Sequence, residues 1–240
     1  MSLFSLVAGI TGSTMVYQLG TYPDKILAVV YGFVALMQVI DYLLWNHPVC
    51  DTYNRIVSIA GMVLNHLQPV VLFLSILVFN PDLPDVNLVM ICIAMAIYLC
   101  IMIPYSAEFL KHPEKECSIK NNEDHMHWNW NYMPYFRYAY TTYLLTNGCL
   151  WYYGLALKSH INTRMDPSRA WYSYKTGEPQ LEGVHLYPAF GSICALSSFF
   201  MYFTTRYVYS VNNVGNIWCF YTVFIPLIYY VLRKTIVSIV

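Results

Sequence analysis

Residues 53–79 read YNRIVSIAGMVLNHLQPVVLFLSILVF, and this run decides the class of the protein. A helix needs about 20 mostly apolar residues to cross the hydrocarbon core of a bilayer. The run exceeds that length and carries one charged side chain, Arg55, close to its start. The stretch therefore predicts a membrane-spanning helix with a few polar side chains near its middle.

The composition of the whole chain agrees with a membrane environment. The 240 residues are 58% hydrophobic and 11% charged, whereas a soluble domain usually carries about 25% charged residues. The formal net charge is zero, which gives no reason to expect a nucleic-acid partner. The lipid bilayer is the expected partner, and formation of a homo-oligomer is left open.

Apolar runs of spanning length recur along the chain, and no second domain is indicated. We predict an all-α fold, a single seven-transmembrane-helix bundle covering residues 1–240. The predicted spans are 2–19, 26–45, 53–79, 86–105, 134–157, 186–208 and 214–232.

Orientation follows from two weak asymmetries. With seven spans, the 13 Lys and Arg divide six to seven between the two sides, so the positive-inside tendency favours a cytoplasmic C-terminus. Cys50 and Cys117, the cysteines outside the predicted spans, fall in loops on the opposite side. A disulfide between them requires an oxidising compartment. We therefore predict this disulfide and an extracellular or luminal N-terminus.

The loop before the fifth span contains HMHWNWNYMPYF, residues 125–136. Histidine and asparagine alternate with methionine and tryptophan, which is the pattern of a half-buried strand. We predict a small extracellular β-hairpin over residues 117–131, lying as a lid on the bundle with its tryptophans against protein or headgroups. His125 and His127 are weak candidates for a metal site, but no second ligand pair completes one, so no metal is expected.

Polar side chains inside apolar spans usually face the bundle interior and often mark function. Gln38 and Asp41 share one face of the second span, and a second polar group falls near the middle of the third. Arg137, Tyr140 and Asn147 share one stripe of the fifth span and add polar side chains to this region. These positions predict a mid-membrane pocket lined by Gln38, Asp41, Asn65, His66, Gln68, Arg137, Tyr140 and Asn147.

Pro69 and Pro226 lie near the middle of predicted spans. Pro69 has no N–H and its ring clashes with the carbonyl four residues back, on Asn65; Pro226 does the same to Thr222. Interrupted helices at mid-depth are typical of transport sites. We also expect Asp41 or Glu108 to pair with Arg137, since an unpaired charge near the membrane is costly.

Several classes of function fit such a bundle. A retinal protein needs a lysine near the middle of the last span, and residues 214–232 contain none, so no covalent chromophore or other cofactor is expected. An intramembrane hydrolase is less favoured, because the Ser and His spacing matches no nucleophile arrangement. A channel or transporter for a proton, cation or small solute fits the polar pocket. A receptor-like or structural membrane protein without transport is the alternative.

Three short motifs carry a family resemblance: QVIDYLLW at residues 38–45, NHLQP at residues 65–69, and Cys117 followed by HWNW at residues 127–130. In this order they resemble an uncharacterised family of multi-pass membrane proteins found in giant DNA viruses and some algae. The resemblance spans the second to fifth predicted helices. It implies a viral or algal type of membrane protein and no particular activity.

Overall fold

A computed structural model gives the structure of residues 2–81, 83–120, 126–156 and 222–239. This part of the chain is mostly helical, in agreement with the predicted class. The predicted sixth span, 186–208, and the first part of the seventh lie outside the described residues.

The helices follow the predicted order. They are α1 (Ser2–Tyr17), α2 (Tyr22–Ala35), α3 (Met37–Asn46), α4 (Thr52–Phe79), α5 (Asp85–Phe109), α6 (Phe136–Trp151) and α7 (Ile225–Ile239). A π-helical turn, Tyr152–Ala156, continues α6. The loop between α5 and α6 holds the 3-10 helices Pro113–Lys115 and Asn129–Tyr132 and the strands β1 (Ile119–Lys120) and β2 (Met126–His127).

Within the described residues, three helical units are long and apolar enough to cross a membrane. They are Tyr22–Asn46, which combines α2 and α3, then α4 and α5. Large apolar side chains such as Val78, Val86 and Ile103 are mostly exposed on α4 and α5. Such faces suit contact with lipid chains, so the structure indicates an integral membrane protein. Helices α1 and α6 have 16 residues each, which is short of a full span.

Helix α2 begins a turn earlier than the predicted residue 26. The Thr21 side chain accepts a hydrogen bond from the Asp24 backbone N–H, and the Asp24 carboxylate accepts one from the Thr21 N–H. This capping box satisfies two donors that a helix start otherwise leaves unpaired. Pro23 in the first turn needs no N–H partner there. Asp24 and Lys25 therefore belong to α2, although the hydropathy pattern alone placed them before the helix.

The second span is interrupted at Leu36, where α2 ends and α3 begins. The Leu36 N–H donates to the Phe33 carbonyl, and the Val39 N–H donates to the Leu36 carbonyl. These bonds reach three residues back, the tighter 3-10 spacing that often marks a hinge. Neither proline nor glycine stands at residues 35–37, so no helix-breaking residue marks this interruption.

The predicted interruption at Pro69 is wrong, because α4 runs continuously through it from Thr52 to Phe79. The Tyr98 hydroxyl donates a 2.7 Å hydrogen bond to the His66 carbonyl, which supports the backbone one turn before the proline. Pro226 is the second residue of α7 as described. A proline in a first helical turn lacks only an N–H that has no partner there anyway.

The two ends of the bundle are distinguished by their loops. Cys50 and Cys117 form the predicted disulfide, with Cα atoms 5.5 Å apart, and join the loop before α4 to the loop after α5. We call this the disulfide end. At the opposite end, Asn80 and Asn87 donate to the carbonyls of Gly154 and Tyr153 in the π-helical turn. The C-terminal end of α6 is therefore fastened to α4 and α5.

Helix α1 packs against α2 and α7 through glycines. A Cβ atom on Gly12 would lie 2.9 Å from Leu227 Cγ and 3.0 Å from the Leu227 backbone nitrogen. A Cβ on Gly9 would lie 2.8 Å from Ala35 Cβ. The small-residue face thus runs through Gly9 and Gly12, and lets helix backbones approach closely.

We expect Gly12→Val to lower the free energy of unfolding by about 1–3 kcal/mol, since overpacking forces backbone shifts. The melting temperature of the purified protein in detergent measures the loss. Thr11→Val is the matched control, because Thr11 is exposed on the same helix. Equal melting temperatures for Gly12→Val and Thr11→Val would contradict the close packing of α1 on α7.

Candidate functional site

A small polar cavity lies between α4, α5 and α6 at the disulfide end of the bundle. Its volume is about 10 Å³, close to the minimum that holds one water molecule. It is lined by Asn65, His66, Met102, Tyr105, Asn131, Phe136, Ala139, Tyr140 and Tyr143. Three residues of the predicted pocket, Asn65, His66 and Tyr140, therefore meet around one space.

His66 is held on one side by α5. Its Nδ1 lies 2.8 Å from Ser106 Oγ, and the Ser106 hydroxyl donates to the Met102 carbonyl at 2.8 Å. A hydroxyl has a single proton to donate, so Ser106 accepts from the imidazole and the His66 proton sits on Nδ1. Nε2 is then a lone-pair acceptor. No hydrogen bond from the described residues reaches it.

Two of the tyrosines that line the cavity, Tyr105 and Tyr143, donate their hydroxyl protons to acceptors of the protein. Tyr105 donates to the Trp130 carbonyl, an acceptor that cannot donate in return. Tyr143 donates to Gln68 Oε1. The predicted residue Gln68 is thus connected to the cavity through Tyr143, although it does not line the space itself. Its Nε2 is buried, without a partner among the described residues.

The two predicted residues on α3 lie apart from this cavity. Gln38 is buried, and its Nε2 has no partner in the described chain. The Asp41 carboxyl group lies beside the Trp128 indole, close enough to interact but not aligned for a hydrogen bond. Helix α3 therefore presents its polar face to the loop between α5 and α6, while α4 presents Asn65 and His66 to α5 and α6.

Of the three predicted pocket residues on α6, Tyr140 lines the cavity, whereas Arg137 and Asn147 do not. Arg137 is exposed and makes no ion pair with a described residue. The expected pairing of Arg137 is wrong, because Glu108 contacts Lys111 at 2.8 Å and His112 at 3.4 Å instead. Asn147 donates at 2.9 Å to the carbonyl of Tyr143 on its own helix. Each residue turns a helix by about 100°, and the cavity face passes through Phe136, Ala139, Tyr140 and Tyr143.

The loop between α5 and α6 differs in part from the predicted hairpin. Strands β1 and β2 pair antiparallel, with Ile119 opposite His127. The alternation ends there, because Asn129–Tyr132 forms a 3-10 helix. Trp128 and Trp130 are nonetheless both buried and stack with ring centroids 5.0 Å apart. We call residues 126–133 the cap, since Asn131 from this segment lines the cavity.

Of the two candidate metal ligands, His125 and His127, the structure describes His127. His125 lies outside the described residues. His127 is half-buried, and burial lowers the pKa of its imidazole. Among the described residues, no three His, Cys, Asp or Glu side chains converge as a metal site.

The cap is fastened to the disulfide end by a dense hydrogen-bond network. Asn129 Nδ2 donates at 2.6 Å to the Cys117 carbonyl. Asn54 Nδ2 donates to the carbonyls of His47 and Ser118, and Asn54 Oδ1 accepts from the Ser118 N–H. Ser58 Oγ accepts a second bond from that N–H. Asn54, Ser58 and Ser118 are fully buried, so this region is rigid and dry.

The N-terminus of α4 is anchored by Asp51 beside this network. Its carboxylate accepts a 3.0 Å hydrogen bond from the Asn54 N–H and lies 2.7 Å from His47 Nε2. These two contacts, the backbone one first, lower the pKa of Asp51 below its ordinary value. Arg55 in the next turn pairs with the buried Glu116.

A buried carboxylate at the opposite end was missed by sequence reasoning. Asp24 is fully buried, and its Oδ1 accepts a 2.7 Å hydrogen bond from the Tyr229 hydroxyl of α7. Arg233 Nη2 lies 3.9 Å from its Oδ2. The contact joins residues 205 positions apart in sequence. Only the capping pattern of Thr21 and Asp24 could have drawn attention to it.

Sequence reasoning also missed Tyr105 and Tyr143, two lining tyrosines. Tyr98 and Tyr105 stand seven residues apart, which places them on one helix face, so this spacing was an available signal for α5. Asn131 lies in the cap, where the strand pattern assigned it to the opposite face from the tryptophans. The chain has 23 Tyr, and composition alone cannot separate those in the cavity from those elsewhere.

Comparison of the chain with protein-family models, with curated proteins and with solved structures finds no match.

Proposed function

We propose that this protein is a seven-helix integral membrane channel or transporter that passes a proton, a monovalent cation or a small polar solute through the His66 cavity. In this proposal the disulfide end faces the extracellular or luminal side and the C-terminus is cytoplasmic. The observation that carries the proposal is the position of His66. It lies at the middle of α4, in a polar cavity, with Nδ1 bonded and Nε2 unpaired among the described residues.

The energetic argument concerns polar groups within a membrane span. A polar or ionisable side chain costs several kcal/mol in hydrocarbon unless it finds a partner. Asn65, His66 and Gln68 lie within one turn of α4, and the Nε2 atoms of Gln68 and of Gln38 on α3 are buried without partners. Such a cluster supports a role that uses a bound solute or water to satisfy these groups.

The seven-span count rests on the alternation of helix ends. The disulfide end holds the start of α4, the end of α5 and the start of α6. The contact between Tyr17 and Phe79 joins the ends of α1 and α4 at the opposite side. Each described connection therefore supports an up-and-down bundle, with the sixth span at residues 186–208.

A receptor-like or structural protein is the second candidate, favoured by the disulfide end. Its network around Asn54 is buried and hydrogen-bonded, and Asn131 of the cap lines the cavity. A hydrogen-bonded loop region of this kind suits a role performed outside the membrane. The resemblance of three short motifs to membrane proteins of giant DNA viruses and some algae belongs with this candidate.

Flux measurements on purified protein in liposomes test transport. Proton, rubidium and small-solute fluxes are compared for the wild type, His66→Ala and Asp41→Asn across a range of pH. We expect His66→Ala to reduce flux by about tenfold, a loss of about 1.4 kcal/mol, since it removes the unpaired Nε2. Asp41→Asn retains most of the flux, because Asp41 does not line the cavity.

His112→Ala is the matched control, since His112 lies in the loop at the disulfide end and contacts Glu108. Flux through the control stays at the wild-type value. Negligible flux of every solute with the wild-type protein ends the transport proposal and leaves the receptor-like or structural role.

A further inference from the structure

We propose that the His66 cavity is a site for ammonium, or for a cation of the same size and hydrogen-bond donor character. This inference rests on the proposed transport function and names its substrate class. Three properties of the cavity carry it: its volume, the acceptor atoms of His66 and Tyr105 on its wall, and its aromatic lining.

The volume limits the ligand to a few atoms. A space of about 10 Å³ holds a particle of about the size of one water molecule. Sugars, amino acids and nucleotides are excluded by this size alone. Water, ammonium and the larger monovalent metal ions remain.

The acceptor atoms in the cavity favour a ligand that donates hydrogen bonds. Ser106 is not a lining residue, and it holds the Nδ1 side of the His66 ring. Nε2 is therefore the ring nitrogen available to the cavity, and it accepts. Tyr105 commits its proton to the Trp130 carbonyl, so its oxygen also offers lone pairs. Ammonium is a pure donor with four N–H groups, and the His66 Nε2 and the Tyr105 oxygen can each accept one of them.

The lining also favours a cation over a neutral donor. Phe136 and Tyr140 stack with centroids 5.4 Å apart, and the Tyr140 and Tyr143 rings lie parallel at 5.9 Å. His66 and Tyr105 have ring centroids 6.0 Å apart on the other side. Aromatic faces attract cations, most strongly where water is excluded. A ring of this lining that turns its face to a bound cation would offset part of the cost of desolvating the charge.

Metal cations fit this wall poorly. Among the described residues, no Asp or Glu lines the cavity, whereas calcium and magnesium require carboxylate or several carbonyl oxygens. A transition metal binds imidazole, but within the described part of the lining His66 is the one histidine and no cysteine joins it. Potassium needs a shell of oxygens and gains little from an imidazole nitrogen.

Two measurements on the full-length protein test the proposal. The first is the melting temperature in detergent with ammonium chloride, compared with equal concentrations of sodium, potassium and tetramethylammonium chloride. The second is ammonium flux into liposomes, read from an internal pH dye, since entry of ammonium acidifies and entry of ammonia alkalinises the lumen. Both are repeated for His66→Leu, His66→Gln, Tyr105→Phe and the control Tyr138→Phe.

We expect ammonium alone to raise the melting temperature and to cross the membrane. His66→Leu and Tyr105→Phe raise the half-saturating ammonium concentration about tenfold, the usual effect of losing one hydrogen bond to a charged group. His66→Gln restores part of the affinity, because its amide oxygen replaces the imidazole acceptor. Tyr138→Phe changes nothing, since Tyr138 is exposed on the far side of α6.

The outcomes separate this inference from the proposed function. Potassium stabilising the protein as well as ammonium overturns the assignment of the ligand. Proton or rubidium flux that depends on His66, without ammonium binding or flux, overturns it too but leaves transport intact. The absence of both binding and flux overturns both. Unchanged melting temperatures of the ligand-free variants establish that each one folds.

Discussion

Replacing Cys117 by serine lowers the free energy of unfolding by about 4 kcal/mol. The disulfide with Cys50 closes a loop with a sequence separation of 67 residues, and the entropy lost by the unfolded chain on closing such a loop accounts for about this amount. In addition, Cys117 is buried, so the substitution places a polar hydroxyl group in a buried position. The loss is measured as a fall in melting temperature in detergent.

The same experiment includes reduction of the wild-type protein. A reducing agent lowers the melting temperature of the wild type to that of Cys117→Ser, and leaves the variant unchanged. Cys149→Ser is the control, because Cys149 is a free, half-buried thiol on α6. A wild-type protein that is indifferent to reduction would show that the two cysteines are not bonded in solution.

Asn54→Leu lowers the free energy of unfolding by about 4 kcal/mol as well. Leucine has nearly the same size as asparagine, but it leaves the Ser118 N–H and the carbonyls of His47 and Ser118 without their partner in a buried region. Each buried polar group left unpaired costs about 1–3 kcal/mol. The Ser118 N–H keeps its bond to Ser58, which limits the total.

Asn46→Leu is the matched control for this variant. Asn46 is exposed and donates only to the Tyr42 carbonyl of its own helix, so its replacement leaves the melting temperature nearly unchanged. Amide hydrogen exchange locates the damage: faster exchange at residues 116–120 and in the cap is expected for Asn54→Leu. Equal losses for the two variants would contradict a special role of Asn54.

The cap links these two predictions to the cavity. Asn131 lines the cavity and the Trp130 carbonyl accepts from the lining residue Tyr105, while Asn129 is bonded to Cys117. Loosening the disulfide end therefore loosens one wall of the cavity. The cavity and the loop between α5 and α6 form one mechanical unit, although they are separate in sequence.

The features that local physics controls could be predicted from the sequence. Helix α4 was predicted at residues 53–79 and is found at Thr52–Phe79, because a long apolar run in lipid must pair its backbone internally. The period-two spacing predicted that Trp128 and Trp130 lie against protein or headgroups, and the structure buries both within the protein. The disulfide followed from two cysteines in loops on one side of the predicted bundle, and its 5.5 Å Cα separation agrees.

The composition of the cavity was decided by the tertiary structure alone. A helix rotates by about 100° at each residue, so the face that α6 turns inward depends on how it packs against α4 and α5. That packing selects Tyr143 and Phe136 and leaves Arg137 exposed. Likewise, Asp24 gains Tyr229 as a partner 205 residues away, since such contacts depend on the arrangement of whole helices and leave no local pattern in the sequence.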